Sequence, residues 1–538
     1  MMALLVGFGA QAQHMLPFSF NTELDKKPTR AEIQSPEITS INLEDEKNEF
    51  SYRFGIALKA NIEFKDFKQV YSDGDKKVWQ IQIESPSAKG LGLYFDQFLI
   101  PNGGELFVFT DDKKQLLGPF TSADNIDGGT FATSFLLTDK VILEYTAPNW
   151  VIEKPIVDLE EVGYFYRDVE VKLASLDRDF GDSDLCEVNV NCSEGANWQN
   201  QRDATVRISF RDQGSFYWCS GTIMNNTAGG CTPYIISADH CAENSTSSDL
   251  GQSIFYLKYQ SVDCNNPPNE ASINYTVMTG CSKKAQSTTA GDKDSDFILI
   301  ELNDTIAKST DIYYSGWDNS GDIPTSGVSI HHPAGDVKKI STYGAAAVSD
   351  TYGGVKNNTH WRVNWVTTAN GHAVTEGGSS GSGMFDPNGR LVGTLTGGAA
   401  TCNSQTAPDY YGKFWHHWDQ DGTAADRRLD LYLDPNSTGT KTLDGTRRPC
   451  QGLVMSVDRI SEDDIKFRMF PNPSNGILEI ERIPENANIK IYNQLGKVVF
   501  LRSNYQRTSI FLDLVAGFYL VKVSSSVYSS TQKLIVKP

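Results

Sequence analysis

The residues readiest for chemistry lie in Thr375-Glu376-Gly377-Gly378-Ser379-Ser380-Gly381-Ser382-Gly383. The stretch from Gly377 to Gly383 is all small residues. Such a run cannot hold a helix, because glycine loses the most backbone entropy on folding. It suits a sharp turn that lets a substrate approach and aims successive N–H groups at one point, as a developing oxyanion requires. A serine in that turn is placed to be a nucleophile. A plain Gly/Ser loop would have the same composition, so the reading depends on partners. Tyr234-Ile235-Ile236-Ser237-Ala238-Asp239-His240-Cys241 is an apolar strand ending in a histidine beside a cysteine. Asp294-Ser295-Asp296 stands at the mouth of the apolar strand Phe297-Ile298-Leu299-Ile300-Glu301-Leu302. Serine, imidazole and carboxylate are the nucleophile, proton carrier and orienting group of acyl transfer through a covalent intermediate.

These groups are far apart in the chain, so folded elements must bring them together. The order His, Asp, Ser is the one chymotrypsin uses, whereas subtilisins and α/β-hydrolases use others. Asp294 would share a strand face with Asp296 and competes for the role. The apolar run directly after Asp296 favours Asp296 as the buried carboxylate. From Cys186 to Pro449 the chain is rich in short strands, glycine and aromatics. Ala425–Leu433 is the best helix candidate, with Pro435 as its stop. Many short strands with a helix near the end predict a double β-barrel.

The chain has 538 residues, too many for one core. A net charge of −19 argues against non-specific nucleic-acid binding and favours basic substrates. Met1 to Ala12 reads as a signal peptide, with an apolar Ala3-Leu4-Leu5-Val6 core and Ala10-Gln11-Ala12 before the cut, though without the usual basic start. No later segment has the roughly 18 apolar residues of a membrane span. Eight of nine cysteines fall between Cys186 and Cys402, and none precedes them. That clustering marks one disulfide-bearing domain made in an oxidising compartment. No paired C-x-x-C spacing suggests a zinc site, and Cys450, outside the cluster, is expected to be the odd thiol.

In chain order, residues 13–180 read as a propeptide, loosely ordered to about Ala60 and then β-rich. Val78-Trp79-Gln80-Ile81-Gln82-Ile83 and Glu105-Leu106-Phe107-Val108-Phe109 alternate as antiparallel strands of a sandwich. Tyr164 to Asp184 is a charged connector, exposed and open to proteolytic maturation after Lys172 or Arg178. Residues 181–449 form the cysteine-bearing domain and 450–466 a linker. Residues 467–538 form a small C-terminal β-sandwich with alternating strands such as Phe518-Tyr519-Leu520-Val521-Lys522-Val523. The fold class is therefore mostly β throughout.

Several motifs of the middle domain are shared with one family: Cys219-Ser220-Gly221-Thr222, Ser237-Ala238-Asp239-His240-Cys241, Ser295-Asp296-Phe297-Ile298, Ser315-Gly316-Trp317-Asp318, His331-His332-Pro333 and Gly378-Ser379-Ser380-Gly381-Ser382. With these the domain resembles the bacterial lysyl endopeptidases, secreted serine proteases of the chymotrypsin clan. The tail, with Pro471-Asn472-Pro473 and Leu514-Val515-Ala516-Gly517-Phe518-Tyr519, resembles the C-terminal sorting domain of the type IX secretion system. The first resemblance implies a chymotrypsin-like double β-barrel and a catalytic triad of His240, Asp296 and Ser380. It places the oxyanion hole at the N–H groups of Gly378 and Ser380. It also implies Asp409, before Tyr410-Tyr411-Gly412, as the lysine-selecting carboxylate. Trp365 matches a tryptophan that the family's lysine-specific prototype stacks on a histidine. Thr396 stands where that histidine would be, and Thr396 to Gly398 (Thr396, Gly397, Gly398) is the edge that pairs with the substrate backbone. The family pattern implies the disulfides Cys186–Cys402, Cys192–Cys264 and Cys219–Cys241. Cys231 and Cys281 are extra to it and could pair.

Trypsin-type activation needs an aspartate just before the nucleophile, but Ser379 is there. Propeptide obstruction is therefore expected to hold the zymogen inactive. His331-His332 and His416-His417 look like metal pairs, but adjacent strand residues face opposite ways. Asp419-Gln420-Asp421-Gly422 reads as a turn. No metal or cofactor is implied. The expected partners are protein or peptide substrates, the chain's own propeptide and the type IX secretion machinery, with no nucleic acid. The expected place is outside a Gram-negative, Bacteroidetes-like cell or on its surface, reached through the periplasm. The favoured activity is cleavage after lysine. Cleavage after arginine or after both, and a non-catalytic adhesin or pseudoprotease on the same fold, are the alternatives.

Overall fold

A computed structural model describes residues 16–45, 52–125, 128–167, 183–268, 272–287, 294–353, 357–447 and 467–537, the last span with short breaks. The expected signal peptide, maturation site and linker lie outside these residues. The described chain is mostly β, and it divides into two compact units at Gly452/Leu453. No described helix is long and apolar enough to cross a membrane.

Period-2 alternation builds the N-terminal part of the first unit. Lys76–Glu84, Glu105–Thr110 and Lys140–Pro148 turn Ile81, Ile83, Leu106, Val108, Val141 and Leu143 to one face. A second sheet, made of Tyr52–Glu63, Gly90–Leu99 and Ile156–Phe165, brings Ile62, Leu93, Phe95, Leu159 and Val162 against them. Two sheets sharing one core make the expected sandwich. Order begins earlier than the sequence suggests: Thr29–Glu32 pairs parallel to Lys76–Glu84, and Ile38–Asp45 is helical. Tyr52–Glu63 alternates weakly but is paired along both edges, so tertiary context makes it a strand. The charged connector also starts later than expected, because Tyr164 and Phe165 are buried strand residues.

The strand Ser215–Ile223 is the hinge of the next region. It pairs with Thr205–Asp212, with Tyr234–Ser237 and with Tyr52–Glu63 of the N-terminal sandwich, so one ladder runs through both. Tyr234–Ser237 continues to Ile298–Leu302 and then Cys281–Gln286, around a core of Val206, Ile208, Ile235, Phe255, Ile298 and Ile300. A second lobe orders its strands as Lys339–Tyr343, Gly327–His331, Gly383–Phe385, Leu391–Gly398, Asp409–Lys413, His360–Val363 and Val348–Asp350. In neither lobe do the end strands pair with each other among the described residues, so the expected barrels are open sheets.

The expected helix over Ala425–Leu433 is broken. A 3-10 turn, Ala425–Arg427, and a single turn, Asp430–Leu433, flank an extended Arg428 at φ −149°, ψ 143°. Leu429 and Leu433 are both fully buried, and their spacing of one turn is met by the second piece alone.

Three disulfides join cysteines among the described residues: Cys186–Cys402, Cys192–Cys264 and Cys219–Cys241. The further pair Cys231–Cys281 does not form. Cys281 is a free, buried thiol in the first-lobe core, pushed up by burial, while Cys231 is disulfide-bonded to another partner. The unpaired thiol found is thus Cys281, and Cys450 lies outside the described residues.

The second unit stands by itself as two small sheets. One holds Arg468–Phe470, Ile477–Glu481 and Ile510–Phe511, and the other Ala487–Tyr492, Val498–Tyr505, Gly517–Ser525 and Tyr528–Val536. Leu478, Ile480, Ile489, Ile491, Val521, Val523 and Leu534 fill the space between.

Candidate active site

The short turn Asp239–Cys241 follows the buried strand Tyr234–Ser237 and presents His240. The Cys219–Cys241 bridge ties that turn to Ser215–Ile223. Across the ladder, Asp296 precedes Ile298–Leu302 with a left-handed φ of 59°. This unusual backbone for a non-glycine residue turns its carboxylate to His240. Asp296 Oδ1 accepts the His240 N–H at 3.0 Å, and Oδ2 lies 2.8 Å from Nδ1. Burial alone would raise the Asp296 carboxyl, but the charge and hydrogen bonds of His240 outweigh it and hold it at about 2. Asp296 is only 4% exposed while Asp294 is half-buried, which settles which carboxylate meets the histidine.

Ser380 comes from the second lobe, at the turn before Gly383–Phe385. Its carbonyl accepts the Ser220 N–H at 2.8 Å and lies 3.9 Å from Cys241 Sγ, so the serine is fastened beside the histidine turn. Gly378 and Gly381 have φ of +94° and +78°, and a Cβ on Gly381 would lie 2.2 Å from Ser237 Oγ. Only glycine fits there. Among the described residues the N–H groups of Gly378 and Ser380 have no acceptor, in keeping with groups that would meet a ligand oxygen.

Asp409 is 1% exposed. Its Oδ2 accepts from Trp365 Nε1 at 2.6 Å and Thr375 Oγ1 at 2.7 Å, and Oδ1 from the Ala400 N–H at 3.2 Å. Burial pushes it up to about 6 against those three donors. Gly398 pairs with Asp409 across the strands, and a Cβ on it would sit 1.9 Å from Asp409 Oδ1. Gly398 is exposed, so the buried carboxylate lies directly beneath a surface glycine. Trp365 is a buried holder of Asp409, with its ring against Tyr411.

Thr396, standing where the family's histidine would be, bonds one from elsewhere: His360 Nε2 lies 3.0 Å from its Oγ1. His360 is held down to about 4, by burial first, with the Asp296 charge opposing. Its strand, His360–Val363, pairs with Asp409–Lys413, a pairing that linear spacing does not announce. Two more contributors were missed in the sequence. Asp421 accepts from Ser295 Oγ and meets His416 Nδ1 at 2.9 Å, and His417 Nε2 lies 3.0 Å from the Ser295 carbonyl. The residue before Asp296 is thereby fixed from both sides.

The His331-His332 pair does point two ways, His331 to Ser379 and Ser341 and His332 to the Asp336 carbonyl. Asp184, Glu376 and Cys402 come near enough to share an ion. The Cys402 sulfur, however, is committed to Cys186, and the metal ligand is a thiolate.

Residues 180–412 match the family described as lysyl endopeptidase, C-terminal domain, and residues 468–537 the secretion system C-terminal sorting domain. The middle domain is thus similar to that endopeptidase domain, and the tail to a sorting domain of secreted or cell-surface proteins. A lysyl endopeptidase of Pseudomonas aeruginosa is 33% identical over 248 residues, 44% of this chain and 50% of that protein. The chain therefore spans about half the length of the curated relative it matches. Among solved structures, the protease Anisep of Arthrobacter nicotinovorans is similar at 17% identity and a TM-score of 0.32, over 44% of this chain and 97% of that one. A thermostable serine protease, AL20, from an extremophilic microorganism is similar at 14% identity and 0.28, over 40% and 92%.

Proposed function

We propose that this chain is an exported serine endopeptidase that cuts after lysine. The observation that carries the proposal is the His240–Asp296 pair, its carboxylate buried, beside Ser380, with two N–H groups on the serine's own turn that meet no acceptor among the described residues. Asp296, ionised at working pH, accepts from His240 Nδ1–H, so Nε2 is the basic nitrogen. His240 takes the Ser380 proton as Oγ attacks the scissile carbonyl, and the oxyanion settles on the N–H groups of Gly378 and Ser380. The proton then passes to the leaving amine, and water repeats the cycle on the acyl-enzyme. Asp409 receives the lysine ammonium. A buried carboxylate left without a cation is costly, so residues lacking one are rejected.

The N-terminal sandwich acts as the propeptide. Trp218 pairs with Tyr52 across the ladder, Phe54 stacks on Trp218 at 4.2 Å, and a Cβ on Gly377 would lie 3.0 Å from the Tyr52 ring. The beginning of one propeptide strand therefore abuts the oxyanion turn, which supports inhibition by obstruction. The C-terminal unit hands the chain to type IX export.

A fluorophosphonate probe tests the nucleophile. The processed protein is expected to gain one adduct, on the Ser380 peptide, and Ser380→Ala to gain none while still binding protein partners. Absence of an adduct on wild-type protein freed of the expected propeptide, residues 13–180, would favour the adhesin instead.

A further inference from the structure

Ser379, directly before the nucleophile, is fully buried and uncharged, so something other than an ammonium must hold its turn. Ser341 Oγ donates to the Val374 carbonyl at 2.6 Å. Its single proton is used there, so it can only accept from His331 Nε2–H, at 3.0 Å. His331 is neutral, held at about 3 by burial and secondarily by Lys339, with the Glu187 carboxyl 3.9 Å from Nε2. Its Nδ1 is therefore a lone pair, and Ser379 Oγ donates to it at 2.8 Å while accepting the Glu376 N–H at 3.2 Å.

The neighbouring peptides are gripped by the same segment. The Ala334 N–H holds the Gly377 carbonyl at 2.6 Å. The His332 N–H donates to Ser220 Oγ at 2.9 Å, which in turn donates to the Gly378 carbonyl at 3.0 Å. A trans peptide is planar, with N–H opposed to C=O. Fixing the Gly377 carbonyl therefore fixes the direction of the Gly378 N–H. The Ser379 carbonyl, held by the Ser382 N–H at 3.0 Å, likewise sets the Ser380 N–H.

We infer that His331, with His332 and Ala334, is a positioning unit for the oxyanion turn: Ala334 aims the Gly378 N–H, and His331 holds Ser379, whose carbonyl belongs to the peptide that carries the Ser380 N–H, so that the oxyanion hole is formed without any free chain terminus. The inference rests on the proposed endopeptidase activity. Its test is steady-state kinetics of processed enzyme on a small lysyl ester, for Ser379→Ala, His331→Ala and His331→Asn, beside wild type whose α-amine has been acetylated. Ser379→Ala and His331→Ala are expected to lower kcat by about 10- to 100-fold, short of the loss of a whole donor, with KM within about threefold. The double variant should be no worse than either single one, because both cut the same bond. His331→Asn, which returns an acceptor near Nδ1, should recover much of the loss. Acetylated enzyme should keep its kcat. Unchanged kcat in folded Ser379→Ala, or loss of activity on acetylation, would overturn the inference. If His331→Ala does not fold, Ser379→Ala alone decides. Inactive wild type would instead strike the endopeptidase reading.

Discussion

On the proposed reading specificity turns on Asp409, and the environment of that residue makes a pH signature. Burial holds its carboxyl up at about 6. Above that value the pocket is anionic and attracts an ammonium; below it the pocket is neutral. Comparing lysine with norleucine at the cleaved position cancels whatever His240 contributes. The ratio of kcat/KM, lysine over norleucine, is expected to be flat above pH 7 and to fall about tenfold per pH unit well below 6. A ratio flat down to pH 5 would show that Asp409 does not meet the side chain. At this scale the sequence was legible where function concentrates small or charged residues into one stretch, as in Gly377–Gly383 and Asp239-His240-Cys241. It was opaque for His360, Asp421 and His417. They touch the site only through strand pairing and loop closure, and a lone polar residue in a strand or turn carries no mark of its partner.

The elements that matter most are the two turns presenting His240 and Ser380 and the strained residue that presents Asp296. A left-handed φ at Asp296 costs energy unless neighbours hold it, and the helix Phe414–Asp419 with Asp421 just after it does so through Ser295. Asp421→Ala would leave Ser295 Oγ without its acceptor and remove the carboxylate beside His416 Nδ1. It is expected to destabilise the domain by about 1–3 kcal/mol and to lower kcat about tenfold. Calorimetry and ester hydrolysis read these two effects, and a variant with wild-type melting and kcat would show the Asp421 contact to be incidental. Strands with clean alternation, such as Lys76–Glu84 and Glu105–Thr110, were readable from sequence. Tyr52–Glu63 was not, because it owes its order to strands on both flanks, one of them 150 residues or more away in the chain. The Ala425–Leu433 helix failed for a related reason: helical propensity lost to the burial of Leu429 and Leu433.

At the scale of the molecule, the N-terminal sandwich and the two-lobed domain share a ladder and an aromatic cluster, including Phe54, Tyr94, Phe165, Phe216, Trp218 and Tyr256. Composition suggested a boundary between them, since cysteines begin at Cys186. It could not show that Tyr52–Glu63 crosses that boundary to pair with Ser215–Ile223. The sequence likewise announced barrels whose closure the strand order does not complete. The central claim, a lysine-selecting endopeptidase built on Ser380 and Asp409, is tested most directly by digesting a denatured protein mixture with processed enzyme and mapping the cuts by mass spectrometry, with Asp409→Asn alongside. Wild-type cuts confined to bonds after lysine, and loss of that preference in Asp409→Asn, are the predicted result. Cuts after other residues, or a variant that still prefers lysine, would contradict it.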